Sequence, residues 1–308
     1  MARTTWELDF YSRPIFDENQ KKLWEVLICE SPVDIDQAPA GLFRFSKFTD
    51  NQHVNSLWLR EALDEAIAQA PQPPQKIRFF RRQMNNTIAK ACEDLGIVVA
   101  PSRRTYALSA WLGERLENFY PQQPGYDASA AQAASVQYPA LNATPLPDAI
   151  RGDKGDRWAL VSLLAAELAE MKEWPINFGE AFPLALAGVA MDTRVPGLVL
   201  FSPRAVPLAA WLSGLELGLV RLETGDRPRL CLETGASDSW VLADLPQATL
   251  LAEATHFERA KPRPTGCTSS RCRPSPRPNP LPVSGSCWIS RKAKAAEPPC
   301  PLAASMTV

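Results

Sequence analysis

The sequence predicts an α/β protein of two domains, the first built in the order β-β-β-α-β-α-β-α. Three observations lead there. Apolar and polar residues alternate through much of the first fifty positions. Apolar residues then recur at helical spacing, in segments interleaved with two short strand-like runs. A stretch rich in Pro, Gln, Ala and Ser over residues 121–155 separates this pattern from a second α/β pattern beyond it.

Residues 5–15 (TWELDFYSRPI) place Trp6, Leu8 and Phe10 on one face and Glu7, Asp9 and Tyr11 on the other, the two-residue period of a strand. Asp17-Glu18-Asn19-Gln20 signals a turn, and KKLWEVLICE forms the second strand. Gly41 to Phe48 alternates again as a third. Val54, Leu57, Trp58, Ala62 and Ile67 follow helical spacing, and Pro71-Gln72-Pro73-Pro74 closes that helix. Lys76 to Arg82 reads as the fourth strand. A short helix starts at Asn86-Thr87, carries Ile88, Cys92 and Leu95 on one stripe, and stops at Gly96. Ile97 to Ala100 is the fifth strand and Tyr106 to Phe119 the third helix. Three strands on short connections, then two strands each reached through a helix, is the topology of a ribonuclease-H-like sheet. Right-handed crossovers lay the fourth and fifth strands beside the first, in parallel.

The first domain therefore spans 1–120 and a linker 121–155. The second α/β domain, 156–260, offers strands at Trp158–Leu164, Gly197–Phe201, Leu219–Leu222, Leu230–Glu233 and Trp240–Leu242. Its helices are expected at Val206–Leu217 and Gln247–Ala260.

At Lys261 the composition changes. Residues 261–308 hold ten of the 29 prolines, four of the seven cysteines, eight Lys/Arg and a single acid, Glu297. Such a segment reads as a disordered basic tail. It also fits translation out of frame. Codons exist for Thr265 to Arg273 (TGCTSSRCR) whose regrouping, each third base with the next two, spells GVHFLAVQ. Pro276 to Lys294 treated alike spells EAESFAGFWLLLDFEEGQ. Both are strand-like, so a shifted frame leaves the second domain truncated.

Composition narrows the function classes. The apolar fraction of 45% and charged fraction of 22% are those of a globular protein. No apolar run approaches the ~18 residues a membrane span needs. The opening Met1-Ala2-Arg3-Thr4-Thr5 runs at once into a strand, so no leader is expected, and a cytoplasmic location follows. Residues 1–260 carry 25 basic against 33 acidic residues, a net of −8, so a nucleic acid must be met by a local basic patch. Cys29, Cys92 and Cys231 stand alone in apolar settings, as buried thiols do. The tail cysteines match no zinc spacing, and His53 and His256 are far from them. Neither metal nor cofactor is expected. Trp24, Trp58, Trp111 and Trp174 fall on apolar stripes and are expected in cores.

Asp9 on the first strand is the candidate catalytic acid, since ribonuclease-H-like nucleases hold metal ions with several carboxylates. Glu61, Asp64 or Glu65 of the first helix would supply a second ligand. The fourth strand and the segment after the fifth bring arginines where further acids would be wanted. Arg13, Arg78, Arg81, Arg82, Arg103 and Arg104 are expected to gather at one rim, where guanidinium forks match phosphates. Phe80 and Tyr106 offer rings for unpaired bases.

TWELDFYSRPI, KKLWEVLICES, KIRFFRRQMNNTIAKACEDLGI and VVAPSRRTYALSAWL, in this order, closely resemble the Tab/Atab family, as more weakly do FGEAFPL, GLVLFSPR and SWVLADL. The family ends in a FAGFWLL-type strand, which the shifted frame restores. The resemblance implies a non-catalytic RNA-binding factor, acting on an untranslated messenger leader to promote translation of photosystem messages. The family occurs in chloroplasts and cyanobacteria, and the absence of a transit peptide points to a cyanobacterial member; translation or assembly proteins are further candidate partners. The alternatives are a metal-dependent nuclease using Asp9 and a protein-binding assembly factor.

Overall fold

The computed structural model describes residues 4–34, 37, 41–132, 142–151, 156–173, 184–187, 189–213, 215, 218–236, 238–261, 286–291 and 304–306. The chain divides into two compact units, Met1–Val33 with Gln37–Ala140, and Asp34–Asp36 with Leu141–Val308.

In the first unit the elements follow the expected order: β1 (Thr5–Phe16), β2 (Lys22–Glu30), β3 (Arg44–Thr49), α1 (Ser56–Gln69), β4 (Lys76–Phe79), α2 (Asn85–Asp94), β5 (Val98–Pro101), α3 (Tyr106–Glu114) and a short α4 (Ala128–Gln132). One sheet runs β3-β2-β1-β4-β5. β1 pairs antiparallel with β2, from Trp6↔Glu30 onward, and parallel with β4, from Thr5↔Lys76 onward; β4 pairs parallel with β5. The expected parallel placement of the fourth and fifth strands is therefore met.

The period of two decides which face is dry. Trp6, Leu8 and Phe10 of β1, Val26 and Ile28 of β2, and Ile77 and Phe79 of β4 form one core with Leu59, Ala62, Leu63 and Ala66 of α1 and Ile88, Ala91 and Cys92 of α2. Burying each of these larger side chains stabilises the unit by about 1.5–3 kcal/mol. Asn55 caps α1, its side chain accepting the Trp58 amide at 2.9 Å. α2 ends as expected at Gly96, whose φ of +69° suits a residue without Cβ. Trp111 is buried, and Trp24 and Trp58 pack against the core; Trp174 lies outside the described residues.

The linker is narrower than expected. Phe16 N donates to Gly125 O at 2.8 Å and Asp127 N to Pro14 O at 3.0 Å, so residues 125–127 are tied to the end of β1. Gly125 has φ +78°, and a Cβ there would stand 2.1 Å from Phe16 O, so only glycine fits. At the far side, β6 (Thr144–Pro145) pairs with a strand of the second unit, and Leu146 and Ile150 join that unit's core.

The second unit continues with β7 (Arg157–Leu164), α5 (Ala165–Ala169), β8 (Arg194–Ser202), α6 (Ala205–Ser213), β9 (Gly218–Glu223), β10 (Arg229–Thr234), β11 (Asp238–Asp244), α7 (Ala248–Ala260), β12 (Ser286–Arg291) and β13 (Ala304–Met306). Every expected strand is present. The expected extension of α6 to Leu217 runs into residues outside the described set. β6-β11-β10-β9 form one sheet and β13-β12-β8-β7 another. Two short strands thus fall inside the segment read as a disordered tail: β12 pairs parallel with β8 and antiparallel with β13, and that expectation is corrected for these residues. An apolar run, Cys287-Trp288-Ile289, gives β12 strand character.

Candidate functional site

The second face of the first sheet, the one away from α1 and α2, is polar and buried. Glu7 and Asp9 of β1, Glu25 of β2 and Arg78 of β4 project there and are 0–1% exposed. The covering element is α3, which continues into a wider π turn over Arg115–Phe119. That turn brings Arg115 and Tyr120 down onto the sheet.

Two linked clusters result. Asp9 accepts from Arg81 Nε at 2.6 Å and Nη2 at 3.3 Å, and from Arg13 Nη1 at 2.9 Å, so both its oxygens are engaged by guanidinium groups. Glu25 accepts from Arg13 Nε at 3.0 Å, from the Tyr120 hydroxyl at 2.6 Å, and from Arg115 Nη2. Burial works against the Arg13 charge, but Asp9, Tyr120 and Glu25 together hold its pKa above the ordinary value. Arg81 lies over the Tyr11 ring at 3.9 Å and the Phe80 ring at 5.0 Å. Beside this, Glu7 accepts from Ser31 Oγ at 2.7 Å and from the Leu108 amide, in the first turn of α3, at 2.8 Å. Thr105, at the start of α3, makes no side-chain cap, so Glu7 satisfies that helix end from across the sheet. Burial pushes the Glu7 carboxyl up to about 7, overcoming the Leu108 amide, the Ser31 hydroxyl and the charges of Arg78 and Arg104.

The expected arginine rim is therefore divided. Arg13, Arg78, Arg81 and Arg104 are buried, and for them the expectation of a solvent-facing rim is corrected. A buried guanidinium beside a carboxylate recovers part of its desolvation cost, whereas the same pair at the surface gains little. Phe80, at 9% exposure, is corrected likewise. Arg82, which follows β4, is exposed, and Arg103, after β5, is half-buried with Tyr106. These two arginines come from the ends of neighbouring parallel strands, as the sequence suggested.

Asp9 and the acids of α1 do not meet. α1 packs on the apolar face, while Asp9 points to the other, and Glu61, Asp64 and Glu65 are exposed, Glu65 holding Lys47 at 2.5 Å. Among the described residues, no three His, Cys, Asp or Glu side chains are grouped to hold a metal ion. Sequence reasoning missed Glu25, Arg115 and Tyr120. The signal was available for Glu25, an acid on an otherwise apolar strand, but the π turn that delivers the other two has no pattern of its own.

The comparisons with known proteins bear on both units. Residues 5–115 match the family described as RNA-binding protein Tab2/Atab2 N terminal, and residues 133–268 match RNA-binding protein Tab2/Atab2, C-terminal domain. A relative from Zea mays named Protein TAB2 homolog, chloroplastic, is 38% identical over 263 residues, covering 83% of this chain and 64% of its own length. A relative of the same name from Arabidopsis thaliana is 34% identical over 265 residues, covering 83% of this chain and 67% of its own. The chain thus spans about two thirds of these relatives. Among solved structures, the HTLV-2 integrase catalytic core is 10% identical, covers 42% of this chain and 80% of its own, and has a TM-score of 0.27. Both units are matched in order, by models of adjoining parts of one protein and by plant relatives running through both, and on that ground the chain belongs to the Tab2/Atab2 family.

Proposed function

We propose that the chain is a non-catalytic RNA-binding factor that promotes translation of photosystem messages in the cytoplasm of a cyanobacterium. Membership of a family described as RNA-binding, matched in both units, carries this reading. The first sheet is of the ribonuclease-H-like kind, a reading supported by its β3-β2-β1-β4-β5 order with β1 antiparallel to β2 and parallel to β4. The acid on its first strand has been turned into a structural group. Two guanidinium groups saturate Asp9, and their charge opposes a divalent cation at that carboxylate.

RNA contact then falls to residues nearer solvent, the exposed Arg82 and the half-buried Arg103 and Tyr106. Each phosphate neutralised on a single strand contributes about −0.7 to the slope of log K against log salt. The double variant Arg82→Ala, Arg103→Ala should lose roughly 1.4 of that slope while keeping its fold. Filter retention of a leader RNA between low and moderate salt measures this, and an unchanged slope rejects the pair as contacts. Incubating the same RNA with Mg²⁺ should leave it intact; cleavage that disappears in Asp9→Ala would instead establish the nuclease reading.

A further inference from the structure

Two segments exactly one hundred positions apart share six residues in eleven. Ser102, Arg104, Leu108, Ala110, Trp111 and Leu112 correspond to Ser202, Arg204, Leu208, Ala210, Trp211 and Leu212. Each segment leaves the end of a strand, β5 or β8, that pairs in parallel with a neighbour, and each leads into a helix, α3 or α6. The local geometry repeats as well. The Arg104 amide donates to Ser102 Oγ at 3.0 Å, and the Arg204 amide to Ser202 Oγ at 3.0 Å.

A second block of the second unit also repeats one of the first, in a different order along the chain. β9, β10 and β11 form an antiparallel meander followed by α7, as β1, β2 and β3 are followed by α1. α7 packs Ala254 and Phe257 against Val220, Leu222, Leu230 and Leu232, as α1 packs against the corresponding alternate positions of β1 and β2. The strand-to-helix corner follows the meander and its helix in the first unit and precedes them in the second.

We infer that the second unit is a circularly permuted copy of the first, and that it carries a strand site beside β9 whose occupant is an apolar strand encoded after α7. In the first unit that place belongs to β4, which pairs in parallel with both β1 and β5 and makes one sheet. Among the described residues of the second unit the two halves remain separate sheets. Among the described residues, β12 lies against β9 but ladders with β8 and β13 and not with β9. The edge of β9 is met by side chains instead of backbone. The Leu222 amide donates to Glu258 Oε2 at 2.9 Å, and Val220 O accepts from Lys261 Nζ at 2.6 Å. Residues 220 and 222 point to the same side of the strand, so both groups belong to one edge, which would otherwise expose unmet polar groups.

The occupant is the strand that the shifted frame spells from Thr265, GVHFLAVQ. It begins five positions after α7 ends at Ala260, and β4 begins seven after α1 ends at Gln69. Set on KIRFFRRQ, which opens with β4, it places apolar residues at the positions of Ile77, Phe79 and Phe80 and a glutamine at that of Gln83. One difference follows from the split sheet: Leu208 and Leu212 of α6 share a core with α7, whereas α3 lies across its sheet from α1. A continuous sheet separates such helices, because right-handed crossovers in opposite directions use opposite faces.

Hydrogen exchange on two chains tests this, the chain as it stands and one rebuilt in the shifted frame after Lys261. In the rebuilt chain the Val220 and Leu222 amides should exchange at least about tenfold more slowly than in the present one. Lys261→Met, costly in the present chain, should become nearly neutral there, since a backbone ladder replaces its contact. Val220 and Leu222 amides that exchange equally in both folded chains would overturn the assignment. So would a rebuilt chain that does not fold, because completing the sheet is the claim. RNA retention plays no part in these readouts.

Discussion

At the scale of single residues, the first sheet turns its charges inward. Glu7 illustrates the cost. Its folded pKa of about 7 exceeds the ordinary 4.5, so the fold prefers the neutral acid. For an acid shifted upward, the native state holds more protons than the unfolded chain between those values. Stability is therefore greatest below about 4.5 as far as this group is concerned, and is lost as pH rises through 7. The full loss is on the order of 3 kcal/mol, at ~1.4 kcal/mol per unit. Glu7→Gln keeps an acceptor for the Leu108 amide without the charge. Denaturant unfolding should show the variant more stable than the parent at pH 8 and near parity at pH 4.5; equal differences at both pH values would sever Glu7 from the effect.

At the scale of elements, the ends of strands and helices decide what becomes of each side chain. β1 bends at an irregularity between Ser12 and Phe16 and is then clasped by residues 125–127. Gly125 is the point of closest approach, so Gly125→Ala forces both a strained φ and a backbone collision. A loss of about 1–3 kcal/mol is expected, read as a lower denaturant midpoint. Proteolytic cutting should also begin near Ala128, because releasing the clasp frees α4; a variant as resistant as the parent would contradict it. α3 is the other decisive element. Its first turn rests on Glu7, and its terminal π turn delivers Arg115 to Glu25, which is why the arginines beneath it are withdrawn from any surface.

At the scale of the whole chain, the described strands form one five-stranded sheet in the first unit and two four-stranded sheets in the second. The family match to the second domain stops at residue 268, shortly after the change in composition at Lys261. The Leu222 amide and the Val220 carbonyl at the edge of β9 are met there by Glu258 and Lys261. Resequencing the coding DNA around Ala260 is expected to reveal an inserted or deleted base relative to the frame that spells GVHFLAVQ. An intact frame would make the present tail the natural one.

Much of the fold was legible beforehand because it depends on local periodicity. Alternation located β1, β2 and β3, helical spacing located α1, and Gly96 marked the end of α2, since each reports a backbone constraint carried by the residues themselves. The arginines were legible as residues but not as a site. Whether Arg81 meets a phosphate or Asp9 depends on which groups distant segments bring to the sheet: Arg81 itself lies 72 positions from Asp9, and α3 with its π turn lies 90 to 101 positions from its partners on β1 and β2. The sequence by itself determined the main elements of the first unit, their order and the family; only the tertiary structure decided which charges are buried, because burial is set by what covers a face, and the covering helix comes from elsewhere in the chain.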